Sequence, residues 1–369
     1  MKKLAALIIV SALFFSSSCG LQKPKDNQEE TKEKLKIGVL LPLSGPAIIW
    51  GQSLKRGIEI AEEDVSFQNI DFVYEDNQAS PTVAISAYEK LKSVDKIDAV
   101  FATFSRTGVP LASLAERDKI PMIVTLAAGN DIADLSPYAF RLSYTAKQFA
   151  GPQFQSLVQK NGYKEIAVIY VNDEYGSSVN SLIVDFAKNN NIEVALSEPV
   201  EVGTTDFKTQ LAKFSAKKPD ALLFALGSPA ETLGLVRQIQ EMQIQEDILE
   251  VSAVLSDKQS RGDSIVKPIN IYTNALSFSL GLSGQELTKK YQEKYHEDPP
   301  FAVALGYDMA KLIAEATKGE KMSGEKLVEK ILQLKTFDGA NGTMEIQPNG
   351  EINPELHAVK IVDNKLVLN

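Results

Sequence analysis

Across 369 residues the chain carries one cysteine, Cys19, one tryptophan, Trp50, and two histidines, His296 and His357. A single thiol cannot form an intramolecular disulfide or a thiolate metal cluster. Two histidines are a thin supply for metal or acid–base chemistry, and each reads as an ordinary surface or packing residue. No apolar run approaches the roughly 20 residues a membrane-spanning helix needs. Positive charge is outweighed, 39 Lys and Arg against 48 Asp and Glu giving a net charge of −9, and an acidic, aromatic-poor surface argues against nucleic acid, which selects a basic footprint. Catalytic signatures are missing too, with no Gly-x-Ser-x-Gly elbow, no His-Glu-x-x-His and no Walker loop. "GDSIV" at Gly262 is a chance match in a loop. The expectation is a protein that is not an enzyme and uses no metal or cofactor.

What is present begins with an export signal. Lys2 and Lys3 precede an apolar-and-small run from Leu4 to Phe15 and then three serines, the charge, core and small-residue order of a secretory leader. Cys19 follows directly, so residues 1–18 read as a lipoprotein signal peptide and Cys19 as the lipidation site. The order resembles a bacterial lipobox, although Ser16 stands where leucine is usual. The alternative is ordinary cleavage that leaves a free thiol. Residues 19–34 are rich in Lys, Glu, Asp, Asn and Gln, the composition of a flexible tether. Loss of Lys2 and Lys3 with the leader makes the net charge −11.

From Leu35 onward short β-branched runs alternate with helical periods, the rhythm of parallel sheets covered by helices. "KIGVLL", "FVY", "DAVFA" and "MIVT" read as strands. Leu54, Ile58, Ala61 and Val65 mark one buried helix face, and Val83, Ala87, Leu91 and Val94 a second. The pattern restarts with "EIAVIYV", helices through Leu182 and Phe186, from Asp206, and through Val236 and Ile239, and the strand "ALLFAL". Strands near Val251 and Ile271 follow, then three helical stretches from Gly284 to Leu334. "GTMEIQPNGEI" and "HAVKIVDNKLVL" carry Asn-Gly and Asp-Asn turns between alternating apolar residues, so the chain closes in strands and hairpins.

These segments, in this order, resemble the type I periplasmic binding proteins of the leucine/isoleucine/valine-binding kind that serve ABC transporters. The motifs are "KIGVLLPLSGPAIIWGQSLKRGIEIA", "YEDNQASPTVAI", "ERDKIPMI", "NDEYGSSV", "DFKTQLAKFSAKKPDALLFAL", "KYHEDPPFAVALGYDMAKLIAEA" and "FDGANGTMEIQPNGEI". The resemblance implies an α/β fold of two lobes, each a mainly parallel sheet flanked by helices, joined by three crossovers near Leu142–Lys147, Thr273–Phe278 and Phe337–Gly342. Lobe one is then 35–146 plus 278–337, and lobe two 147–277 plus 338–369. It also implies ligand capture by hinge closure.

In such sheets ligands sit at the carboxyl ends of strands. The resemblance places there Trp50, which is either a ligand-facing aromatic or a core ring, and the hydroxyl-rich turn Ser105, Arg106 and Thr107. Arg106 reads as a forked donor for a carboxylate or as an exposed loop arginine. The "TLAAGND" loop contributes Ala127, Ala128 and Gly129, with glycine where amino-acid binders of this family place a hydroxyl. "EVSAVLSD" puts Ser252 and Ala253 where those proteins offer an acid to an ammonium group, unless the match slips to Glu250 or Asp257. Tyr175 matches a clamp tyrosine, and Ser228 ends another strand.

The leading expectation is a lipid-anchored, extracytoplasmic solute-binding protein of an ABC importer. Its partners are a small ligand, a carboxylate other than a standard amino acid, a permease, and the membrane through its N-terminal lipid. A ligand-sensing or cell-envelope lipoprotein on the same fold is the second reading. A branched-chain amino acid binder with a rearranged ammonium site is the third.

Overall fold

The computed structural model describes residues 33–63, 67, 69–129, 132–261 and 270–368. The leader, Cys19, nearly all of the tether, Val65 and the "GDSIV" stretch lie outside the described residues. In chain order the strands and helices are β1 (Leu35–Leu41), α1 (Ile48–Ala61), β2 (Ile70–Asp76), α2 (Pro81–Lys90), β3 (Ala99–Thr103), α3 (Ser105–Asp118), β4 (Met122–Thr125), β5 (Ala139–Leu142), α4 (Ala146–Phe149), α5 (Pro152–Asn161), β6 (Glu165–Val171), α6 (Glu174–Asn189), β7 (Glu193–Val200), α7 (Lys208–Lys217), β8 (Ala221–Ala225), α8 (Pro229–Glu241), β9 (Asp247–Glu250), α9 (Lys258–Arg261), β10 (Ile271–Leu276), α10 (Gln285–Tyr295), α11 (Phe301–Thr317), α12 (Gly324–Leu334), β11 (Thr336–Gly339), β12 (Gly342–Glu345), β13 (Glu351–Ile352), β14 (Leu356–Val362) and β15 (Lys365–Leu368).

Two sheets organise the chain, and each with its helices is called a lobe below. The first runs β13-β5-β4-β3-β1-β2 and is parallel throughout. The second runs β15-β14-β10-β9-β8-β6-β7, parallel except for β14 and β15. Central strands such as β3 and β8 are buried at every residue, because helices cover both faces of a parallel sheet. Helices α1 and α11 cross closely enough that a Cβ on Gly57 would lie 2.0 Å from Val303 O and one on Gly306 2.1 Å from Leu54 O. Only glycine fits either position. Among the described residues no helix is long and apolar enough to cross a membrane.

Two sequence expectations are corrected. Periodicity places Val94 on the buried face of α2, yet the helix runs into a π-turn over Leu91–Asp95 and Val94 is 68% exposed. The wider turn breaks the 3.6-residue phase. The third crossover does not lie at Phe337–Gly342. The β11–β12 hairpin is clipped to α11 of the first lobe, where Asp308 accepts the N–H groups of Ala340 (2.5 Å) and Asn341 (3.2 Å). Strand β13 then joins the first sheet beside β5, held by the buried Arg141–Glu351 pair at 2.7 Å. The chain therefore passes to the second sheet between Ile352 and Leu356, and residues 338–352 belong with lobe one. Turn residues announce a hairpin but not the sheet whose edge it joins.

Candidate functional site

The carboxyl ends of the two sheets face each other across a narrow cleft lined from both lobes. The first lobe supplies Trp50 from α1, Phe104, Ser105 and Arg106 from the β3–α3 junction, and Leu126 and Ala128 after β4. Tyr144 and Phe149 come from the first crossing. The second lobe supplies Asp173 and Tyr175 at the start of α6, Leu226 and Gly227 after β8, and Ser252, Ala253 and Val254 after β9. Two wall residues hold unusual backbone: Phe104 has φ +63° and Leu126 φ +51°. Such conformations cost a non-glycine residue about 1–3 kcal/mol and concentrate at functional sites. Phe104 precedes α3, which has no side-chain cap. The first-turn N–H groups of a helix lack intrahelical partners, and the dipole favours negative charge there.

The lobes touch across this cavity in a closed arrangement. Trp50 Nε1 donates to Gly227 O at 3.3 Å. Arg106 donates through Nε to Ala79 O at 3.0 Å and through Nη1 to Asp173 Oδ2 at 3.0 Å. The two side chains of that ion pair are 15% and 11% exposed. Asp173 also caps α6 by accepting the Gly176 N–H at 3.0 Å. Away from the cavity wall, the N–H of Phe301, which opens α11, donates to Asp257 Oδ1 at 2.8 Å. The Phe301 ring packs at a tilt, its centroid 5.2 Å from that of Trp50 and 6.1 Å from that of Tyr144.

Acids near the cavity are enclosed rather than free. Glu250, at the end of β9, is 3% exposed. It accepts the hydroxyls of Ser252 and Thr273 and the Leu255 N–H at 2.9 Å. Burial pushes its carboxyl up, and those hydrogen bonds oppose the shift. Burial likewise raises Asp173, against the pull of the Gly176 N–H and the Arg106 charge. Asp257 is pushed up to about 7 by burial, with the Phe301 N–H and Arg261 opposing. Tyr175 donates its hydroxyl to Val251 O at 2.8 Å.

A family model described as periplasmic binding protein matches residues 34–365. The chain belongs to that family. This periplasmic binding protein is 24% identical over 336 residues to the Leu/Ile/Val-binding protein homolog 7 of Brucella suis, covering 84% of this chain and 83% of the relative. Its fold is similar to that of the branched-chain amino acid transporter substrate-binding protein LivJ of Streptococcus pneumoniae, solved in complex with isoleucine. The TM-score is 0.80 at 21% identity, over 90% of this chain and 98% of that one. A solute-binding protein of an ABC transporter from R. palustris, solved with benzoate, is similar to the same degree: TM-score 0.80 and 22% identity, over 91% and 95% of the two chains. The architecture is thus the type I periplasmic-binding-protein fold, mainly parallel sheets flanked by helices.

Of the residues singled out from sequence, Trp50, Ser105, Arg106, Ala128, Tyr175 and Ser252 line the cavity of this periplasmic binding protein. Arg106 is nevertheless not a free carboxylate fork, since Asp173 and Ala79 already engage it. Four others do not line the cavity. Thr107 turns its hydroxyl back to the carbonyls of Thr103 and Phe104, and Ala127 packs among the buried residues behind the sheet. Ser228 caps α8, accepting from Glu231 N at 3.3 Å. Gly129 sits at the lobe contact: a Cβ there would lie 2.6 Å from Glu174 O and 2.7 Å from Tyr175 Cα. Only glycine fits this contact between the lobes. Sequence reading missed Asp173, although an Asp two residues before Tyr175 has the signature of a helix cap. It also missed Phe104, Tyr144 and Phe149, aromatic residues beside segments already singled out.

Proposed function

We propose that this periplasmic binding protein is the exported solute receptor of an ABC importer, tethered to the membrane by a lipid on Cys19, and that its ligand is a small carboxylate with an apolar body. The observation that carries the reading is the pairing of an uncapped α3 N-terminus beside Ser105 with the aromatic walls of Trp50, Phe104, Tyr144, Phe149 and Tyr175. Helix N-terminal N–H groups suit an oxyanion. The ring faces suit a flat or branched hydrocarbon body. An ammonium group is poorly served, because Asp173 is engaged by Arg106 and Glu250 is enclosed by its own hydrogen bonds. Burying a charge without a partner is costly. Solute-binding proteins of similar fold from R. palustris, solved with benzoate and with 4-hydroxybenzoate, agree with such a cleft. The isoleucine complex of LivJ defines the competing ligand class.

Thermal-shift and calorimetric titration with benzoates, branched 2-oxo acids, leucine and isoleucine test the ligand class. A ligand at 100 times its dissociation constant adds about 2.7 kcal/mol to stability. Micromolar leucine affinity with no response to carboxylates overturns it. The anchor is tested separately: Cys19→Ala should release the exported protein from membranes with its binding intact, and retention in the detergent phase refutes lipidation.

A further inference from the structure

Ser252 and Tyr175 line the cavity from the second lobe, and each hydroxyl has one hydrogen and two lone pairs. The Ser252 hydrogen goes to Glu250 Oε1 at 2.5 Å and the Tyr175 hydrogen to Val251 O at 2.8 Å. Both hydroxyls therefore keep only lone pairs for a ligand, one of Ser252's being shared with the Val254 N–H at 3.5 Å. Glu250 holds this arrangement firmly, since its other oxygen takes the Leu255 N–H and the Thr273 hydroxyl. Every one of those neighbours donates. Gly227 has the same bias: its N–H is spent on Glu231 Oε2 at 2.9 Å, while its carbonyl carries one hydrogen bond, from Trp50, and has a second lone pair. Across the cavity, the α3 N-terminus offers donors. The two walls thus have opposite hydrogen-bond polarity.

We infer that Glu250 is a positioning residue that turns Ser252 into an acceptor, and that the ligand is a carboxylate bearing an uncharged hydroxyl or N–H donor on its far side. This rests on the carboxylate reading above. The carboxylate meets the donor wall, and the distal hydrogen meets Ser252, whose own hydrogen Glu250 holds. A group there that can only accept leaves those lone pairs facing its own. One lost neutral hydrogen bond of this kind corresponds to about tenfold in affinity.

Calorimetry on the mature protein with 3- and 4-hydroxybenzoate against 3- and 4-formylbenzoate reads the polarity directly. Each pair keeps ring and carboxylate and exchanges a donor for an acceptor. The hydroxy compound of at least one pair should bind about tenfold tighter. Glu250→Gln places an amide N–H₂ toward Ser252, frees the serine hydrogen for the cavity, and should erase or reverse the hydroxy-over-formyl preference, read as a ratio within the variant. Ser252→Ala, a small change, should bring the preferred hydroxybenzoate down to benzoate affinity and so decides the matter should Glu250→Gln not fold. Equal or tighter binding of the formyl compounds by the unmodified protein overturns the inference. An unchanged ratio in folded Glu250→Gln also does. If benzoate and all four derivatives fail to bind, the carboxylate reading itself fails and takes the inference with it.

Discussion

Replacing Arg106 with alanine separates two roles that the residue type alone cannot. The guanidinium spans the cleft to Asp173 at 3.0 Å, with both side chains mostly buried. Truncating one partner of a buried, hydrogen-bonded charge pair costs about 2–5 kcal/mol. The pair forms between lobes, so the loss falls on the closed state. A cost near 2 kcal/mol weakens ligand binding roughly 30-fold, because apparent affinity scales with the population of the competent form. A latch weakens a carboxylate ligand and its uncharged amide analogue by the same factor. A carboxylate anchor would weaken the acid far more than the amide. The partner substitution is Asp173→Asn, which keeps an acceptor for the Gly176 N–H that caps α6. Calorimetry on both single variants and the double should show a coupling energy above 1 kcal/mol. Strictly additive losses, or a loss confined to carboxylates, would refute the latch.

Gly129→Ala should block full closure, since its Cβ meets backbone rather than a side chain that can turn away. Solution scattering should find the variant more extended at saturating ligand, and a parental radius of gyration would refute the assigned role. The pH profile of stability should carry the mark of Asp257, whose carboxyl is pushed by burial from 3.8 to about 7. An acid with a raised folded-state pKa holds its proton better folded than unfolded, so its contribution is complete below about pH 4 and is lost as pH rises through about 7. Asp257→Asn keeps an acceptor for the Phe301 N–H and should flatten that fall, read from urea melts at pH 5 and pH 8; an identical profile would remove Asp257 as the cause.

Sequence alone determined the alternation of strands and helices, because periodic burial is a local property that each segment carries by itself. It also placed the strand ends, and hence Trp50, Ser105 and Tyr175, where chains of this class form a cleft. Tertiary structure decided what depends on partners distant in sequence. Nothing near Arg106 announces that Asp173, 67 residues on, will occupy its fork. Gly129 is intelligible only once the start of α6 lies against it. Strand β13 is two residues long, too short to show which sheet it joins, and the choice fell to the buried pairing of Glu351 with Arg141. The hydrogen-bond polarity of Ser252 involves a partner only two residues away, yet it too needed the fold, since the Glu250 carboxylate is held in place by the Thr273 hydroxyl, 23 residues on.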